Sequence, residues 1–101
     1  MSKYVLAFRG QPERDPAPGE EQAWADWFGR LGGSIADYGN RVGRVQRVEA
    51  MQGGDAAKET LTGYIVVEAA DLDNAVALAR GCPGLQSGVS VEVAETVPMA
   101  D

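Results

Sequence analysis

The chain has 101 residues, of which 45% are hydrophobic and 24% charged, and this composition is typical of a single globular domain. Its net charge of -6 makes nucleic acid an unfavourable partner, because an acidic domain repels phosphate backbones. The sequence has no histidine and one cysteine, which excludes a Ser-His-Asp triad, an internal disulfide and a zinc cluster of thiolates within it.

The first predicted element is a strand over residues 3–9. Alternate residues from Tyr4 to Phe8 fall on one face, while Val5 and Ala7 fall on the other. A strand that is apolar on both sides is expected in the centre of a sheet that is covered on both faces. Its apolar run is too short for a signal-peptide core or a membrane span, so we expect a cytoplasmic protein that does not bind membranes.

The strongest periodic signal predicts a long first helix that ends at Gly39. A loop rich in proline and glycine, residues 10–19, precedes it, and the acidic pair Glu20 and Glu21 suits the first turn of a helix. Large apolar residues then recur at offsets of three, four and seven: Trp24, Trp27, Phe28, Leu31, Ile35 and Tyr38.

A second strand is predicted, more weakly, over residues 41–49, where Gly43 and several arginines interrupt the pattern. Residues 53–55, Gly-Gly-Asp, predict a turn in the connection that follows. Residues 61–69 predict a third strand, rich in β-branched residues and again apolar on both faces.

The last two predicted elements are a short helix and a strand. Asp71 can cap a helix that starts at Leu72, and Gly81 and Pro83 can end it. Residues 87–97 alternate between valine and polar residues, as a strand with one buried face does.

The order strand, helix, strand, strand, helix, strand predicts one domain, residues 1–101, with a ferredoxin-like α+β fold. In that fold a four-stranded antiparallel sheet carries both helices on one face. Because the two central strands are apolar on both sides, the other face of the sheet should also be covered. We therefore predict a homodimer that packs through this face around a twofold axis.

Four segments, in this order and spacing, resemble the YCII-related domains, and more narrowly the group named for a DGPF motif, within the dimeric α/β-barrel superfamily. They are KYVLAF, WADWFGRLGGSIADYGN, KETLTGY and VVEAADLDNAVALARGCP. The resemblance implies the dimeric fold described above. The family's biochemical role is mostly unassigned, and superfamily relatives include isomerases, monooxygenases and haem enzymes.

The chain departs from the resemblance at two places. The DGPF motif is absent, and its positions hold Met-Gln-Gly-Gly at 51–54. The His-Asp pair proposed for some YCII-like relatives cannot be carried over, because the chain has no histidine. The usual axial ligand of haem is missing for the same reason, and we expect no cofactor and no metal.

Four residues are candidates for ligand binding: Arg9, Asp37, Tyr64 and Glu68. Arg9 could bind a carboxylate, and Asp37 sits where a helix dipole disfavours an acid. Glu68 and Tyr64 share one face of the third strand and could line a cleft. We further expect Arg9 and Glu68 to lie near one another, either as a salt bridge or around the polar end of one ligand.

Two functions remain open at this point. The first is a non-catalytic dimer, regulatory or binding a small acidic or aromatic metabolite, and the absence of histidine favours it. The alternative is a cofactor-free isomerase or lyase, in which Glu68 or Asp37 acts as base while Tyr64 or Arg9 stabilises an enolate-like charge. Cys82 lies at the end of the second helix, where the dipole disfavours a thiolate, so we predict a structural role for it.

Overall fold

The fold of the chain follows from a computed structural model that describes residues 1–11, 15–53 and 59–99. Its strands are β1 Ser2–Gly10, β2 Ile35–Arg41, β3 Thr60–Ala69 and β4 Ser90–Glu95, and its α-helices are α1 Glu20–Leu31 and α2 Leu72–Ala79. The strands form one antiparallel sheet in the order β2-β3-β1-β4. The predicted ferredoxin-like α+β fold is therefore confirmed.

The hydrophobic core lies between the two helices and one face of the sheet. Tyr4, Leu6 and Phe8 of β1 alternate onto this face, which is why all three are buried. The helices cover them through these residues: Trp27 and Leu31 of α1, and Ala75 and Ala79 of α2. The small alanines of α2 let this helix approach the sheet closely.

The predicted extent of the first helix was wrong. α1 ends at Leu31, where Gly32 adopts a positive φ of 47° and its N–H bonds back to the Phe28 carbonyl. Ile35 and Tyr38, which the periodicity assigned to the helix, lie in β2 instead. The Asp37 carboxylate accordingly lies on a strand, and the argument from the helix dipole does not apply to it.

The predicted second strand over residues 41–49 was also wrong, because β2 ends at Arg41. We call residues 42–53 the arm; none of them lies in a helix or strand. The arm is anchored to the sheet at its start, where the Val42 N–H bonds to the Thr62 carbonyl at 3.0 Å. Farther along the arm Val48 is 92% exposed, so its side chain does not pack against the core. Of the predicted turn at residues 53–55, only residue 53 falls within the described part of the chain.

The remaining elements agree with the sequence. Asp71 caps α2 by accepting a bond from the Asn74 N–H at 2.9 Å, and α2 starts at Leu72 as predicted. β3 covers the whole predicted third strand, and β4 occupies the centre of the predicted fourth.

Candidate functional site

An open groove lies between α1 and the first part of the arm, on the side of the sheet that carries the helices. Its volume is about 1310 Å³. This exceeds the roughly 300–1,000 Å³ of a typical small-molecule pocket, so one small ligand would fill only part of it. Its wall on one side is α1, its floor is formed by β1 and β3, and its other wall is formed by residues 41–46.

Aromatic rings form the α1 side of the groove and part of its floor. The Phe8 ring meets the Trp24 ring edge to face, with centroids 5.2 Å apart, and Trp24 in turn lies 5.9 Å from Phe28. Phe8 is buried, whereas Trp24 and Phe28 are only partly covered. The groove therefore exposes aromatic surface that the chain's own core does not cover.

A glycine in β3 leaves the floor of the groove without a side chain at one position. Gly63 of β3 pairs with Phe8 of β1. A Cβ atom on Gly63 would lie 3.8 Å from the Phe8 ring and 3.2 Å from the Asn40 carbonyl oxygen. A larger side chain at this position would occupy the space directly above the floor. Glycine inside a strand often marks such a close approach.

Opposite charges line the two walls. Glu20 and Glu21 of α1 stand on one side, and the Glu20 carboxylate accepts a hydrogen bond from the Ser87 hydroxyl at 2.7 Å. Arg41 and Arg44 stand on the other side. Among the residues that the structure describes, neither arginine has an ion-pair partner.

Arg9 and Glu68 do not lie near one another, contrary to expectation. β1 and β3 run antiparallel, and Glu68 pairs with Lys3 while Arg9 pairs with Leu61. Lys3 and Arg9 lie six positions apart in β1, which corresponds to about 20 Å along a strand. Arg9 instead forms a salt bridge with Glu92 of β4 at 3.6 Å.

Tyr64 is the one predicted ligand residue that borders the groove. Its hydroxyl accepts a hydrogen bond from the Asn40 side-chain amide at 3.2 Å, which fixes the ring at the β2 edge of the sheet. Asp37 lies farther along β2, opposite Val66, and its carboxylate accepts a bond from the Gly39 N–H at 2.7 Å. The four predicted residues are thus distributed over the sheet and do not converge on one point.

The sheet face that points away from the helices is apolar only in its centre. Val5 of β1 pairs with Val66 on one side and with Ala94 on the other, and Ala7 adjoins this group. Charged residues lie on both sides of this centre: Lys3, Glu68, Arg9 and Glu92. We call this surface the outer face; it is less apolar than the sequence pattern suggested.

Cys82 is buried, with 3% of its surface exposed. Burial raises the pKa of the Cys82 thiol, although backbone hydrogen bonds from Gly84 and Leu85 act in the opposite direction. A buried thiol of raised pKa is a poor nucleophile, which agrees with the predicted structural role.

Most of the groove was not predicted from the sequence. Trp24 and Phe28 were interpreted only as part of the helical periodicity, and the arginines of residues 41–47 carried little weight because their spacing did not fit one face of a strand. The unusual features that could have indicated the groove are a glycine, Gly63, inside an otherwise β-branched strand and an Arg-Val pair repeated every three residues from residue 41 to 48.

Two further properties hold for residues 1–11, 15–53 and 59–99. No helix there is both long and apolar enough to cross a membrane. No group of three or more side chains there could hold a metal ion.

Comparison with known proteins gives one match. The family model of the YCII-related domain matches residues 29–97, which is more than half of the chain and includes β2, β3, α2 and β4. Neither the curated proteins nor the solved structures contain a significant match to the chain.

Proposed function

This chain belongs to the YCII-related domain family, and from that premise we propose that it is a non-catalytic homodimer that binds a small organic molecule in the groove beside α1. The observation that carries the proposal is the incompletely covered aromatic surface of Trp24 and Phe28 above the Phe8 floor. Small-molecule sites are concave and mostly apolar, with a few polar groups that orient the ligand. The groove has this composition, and Arg41 and Arg44 are among the polar residues that line it.

The dimer in this proposal forms through the outer face. Val5, Val66 and Ala94 form an apolar centre, and a Lys3–Glu68 strand pair and the Arg9–Glu92 salt bridge flank it. An apolar centre with a charged rim is the usual composition of a protein interface. Such a patch suits an isologous contact, in which both subunits use the same surface. The groove lies on the opposite side of the sheet, so a dimer of this kind would leave it accessible.

The enzyme alternative has less support. It needs a carboxylate beside a group that stabilises negative charge, yet Glu68 and Arg9 lie at opposite ends of the β1–β3 pair. The Asp37 carboxylate accepts a hydrogen bond from its own strand at Gly39. Arg9, Asp37 and Glu68 serve in our proposal as parts of the outer face rather than as a catalytic set.

A metabolite screen tests the binding proposal. Thermal shift should identify at least one compound that raises the Tm of the protein, because a ligand that binds only the folded state stabilises it by an amount that grows with the ratio of ligand concentration to Kd. Trp24→Leu, which removes the exposed indole, should abolish that shift. Glu68→Gln, on the outer face, should leave it unchanged.

The location of the ligand can be read independently by NMR. Titration of the ¹⁵N-labelled protein should move the amide signals of Gly43 and Gly63 and the indole signal of Trp24, while Val5 and Val66 stay in place. A screen without any stabilising compound, or shifts confined to the outer face, would contradict the groove as the binding site.

A further inference from the structure

We infer that the ligand of the groove is an aromatic anion, whose ring lies on the Trp24 and Phe28 side and whose carboxylate or similar group reaches Arg41 at the end of β2 and Arg44 in the arm. This inference rests on the proposed binding function and adds the chemical class of the ligand. Nothing in the comparisons assigns a ligand to either arginine.

The first step is the placement of the ring. Trp24 and Phe28 are partly exposed along the same wall, and both belong to a cluster in which neighbouring rings lie 5.2–5.9 Å apart. An added ring would continue this cluster at ordinary aromatic spacing. The space above Gly63, which lacks a side chain, leaves room for a flat molecule over the floor.

The second step is the sign of the charge at the polar end. Arg41 and Arg44 both line the groove, and within the described residues neither forms an ion pair with a carboxylate. Guanidinium binds carboxylate and phosphate groups through paired hydrogen bonds, which gives direction as well as attraction. An anion is the ligand group that this wall recognises.

The third step fixes the orientation. Glu21 belongs to the α1 wall, and its negative charge would repel an anion there. The negative end must therefore point towards the arm and the apolar end towards α1. The three-residue repeat explains how the arm supplies both kinds of contact: each repeat places a valine beside an arginine, and Val42 and Val45 line the groove together with Arg41 and Arg44.

Three probes of equal size and different charge test the inference: 1-naphthoate, 1-naphthalenemethanol and 1-naphthylmethylammonium. Isothermal titration calorimetry should give the tightest binding for the naphthoate and the weakest for the ammonium compound. Raising the salt concentration should weaken the binding of the naphthoate and leave the affinity for the alcohol unchanged, because salt screens only the charged contact. Equal affinities for all three probes would overturn the assignment of an anion but leave the groove as a binding site.

Substitutions locate the charged contact. The double variant Arg41→Gln/Arg44→Gln should bind naphthoate about tenfold more weakly, with the alcohol unaffected. Arg80→Gln is the matched control, because Arg80 is equally exposed but does not line the groove. If Arg80→Gln weakened naphthoate binding as much as the double variant does, the inference would be overturned. If no probe binds while the metabolite screen yields ligands in the groove, the inference alone fails; if the screen is empty as well, the proposed function fails with it.

Discussion

The indole N–H of Trp27 donates a hydrogen bond to the carbonyl oxygen of Leu78 over 3.2 Å. The bond joins the middle of α1 to the last turn of α2, where the Leu78 carbonyl also accepts a bond from the Gly81 N–H at 3.3 Å. Trp27 is 2% exposed and also contacts Phe8 and Phe28. One side chain thus connects both helices and the sheet, while its neighbour Trp24 is left partly exposed at the groove.

The two tryptophans should therefore differ in their effect on stability. Trp27→Phe should lower the free energy of unfolding by about 2–4 kcal/mol, because it removes buried volume and one of the hydrogen bonds that the Leu78 carbonyl accepts. Trp24→Phe should lower it by less than about 1.5 kcal/mol, since the ring is partly exposed and its neighbours can adjust. Urea unfolding at one protein concentration measures both, and equal losses would contradict the assigned roles.

A second stability prediction concerns Gly39 in β2. Its φ of 62° is unfavourable for other residues, and a Cβ atom would overlap the Tyr64 carbonyl. Gly32 also has a positive φ but has open space around it. Gly32→Ala should thus cost about 1 kcal/mol for the backbone conformation alone, and Gly39→Ala at least about 1–2 kcal/mol more. Thermal unfolding of the two variants measures the difference, and a smaller loss for Gly39→Ala would show that β2 can move away from β3.

The boundary between α1 and β2 shows why part of the fold was not predictable from the sequence. Ile35 and Tyr38 continue the helical spacing of Leu31 by coincidence, and this local pattern outweighed the weak helix propensity of Gly32 and Gly33. By contrast, the long β3 and the Asp71 cap have strong local signals, and both were predicted within a residue of their positions.

The site was harder to predict because it depends on contacts between distant segments. The groove exists because residues 41–46 pass opposite α1, and no local pattern encodes that placement. The expected meeting of Arg9 and Glu68 failed for a related reason. Both residues end their strands, but in an antiparallel pair the two carboxyl ends point in opposite directions.

Cys82 gives a prediction about pH. Burial raises the pKa of the thiol in the folded protein, whereas the unfolded chain keeps the ordinary value of about 8.5. The folded state thus favours the protonated thiol, and this contribution to stability is complete below about pH 8.5 and is lost as the pH rises through the folded pKa. The stability of the wild type relative to Cys82→Ala should accordingly fall between about pH 8 and pH 10.

Denaturant titrations of the wild type and Cys82→Ala across that pH range measure the difference between their free energies of unfolding. Because both proteins contain all the other titratable groups, the contributions of those groups cancel in this difference. Reaction of the native wild type with a thiol reagent at pH 7.5 should also be much slower than reaction in urea. Fast labelling of the native protein, or a stability difference that does not change with pH, would contradict a buried and protonated thiol.

The last prediction concerns the outer face. Light scattering coupled to size exclusion should give the wild type twice its chain mass of 10.7 kDa at micromolar concentration. Val66→Asp places a charge in the apolar centre opposite Val5, and burying that charge in the contact would be unfavourable, so this variant should elute as a folded monomer. Val97→Asp introduces the same charge at a position beyond β4 that is 78% exposed, and it should remain dimeric. Circular dichroism verifies that both variants are folded. A monomeric wild type, or a Val66→Asp variant that stays dimeric, would place the subunit contact elsewhere, and the apolar centre would then need another partner.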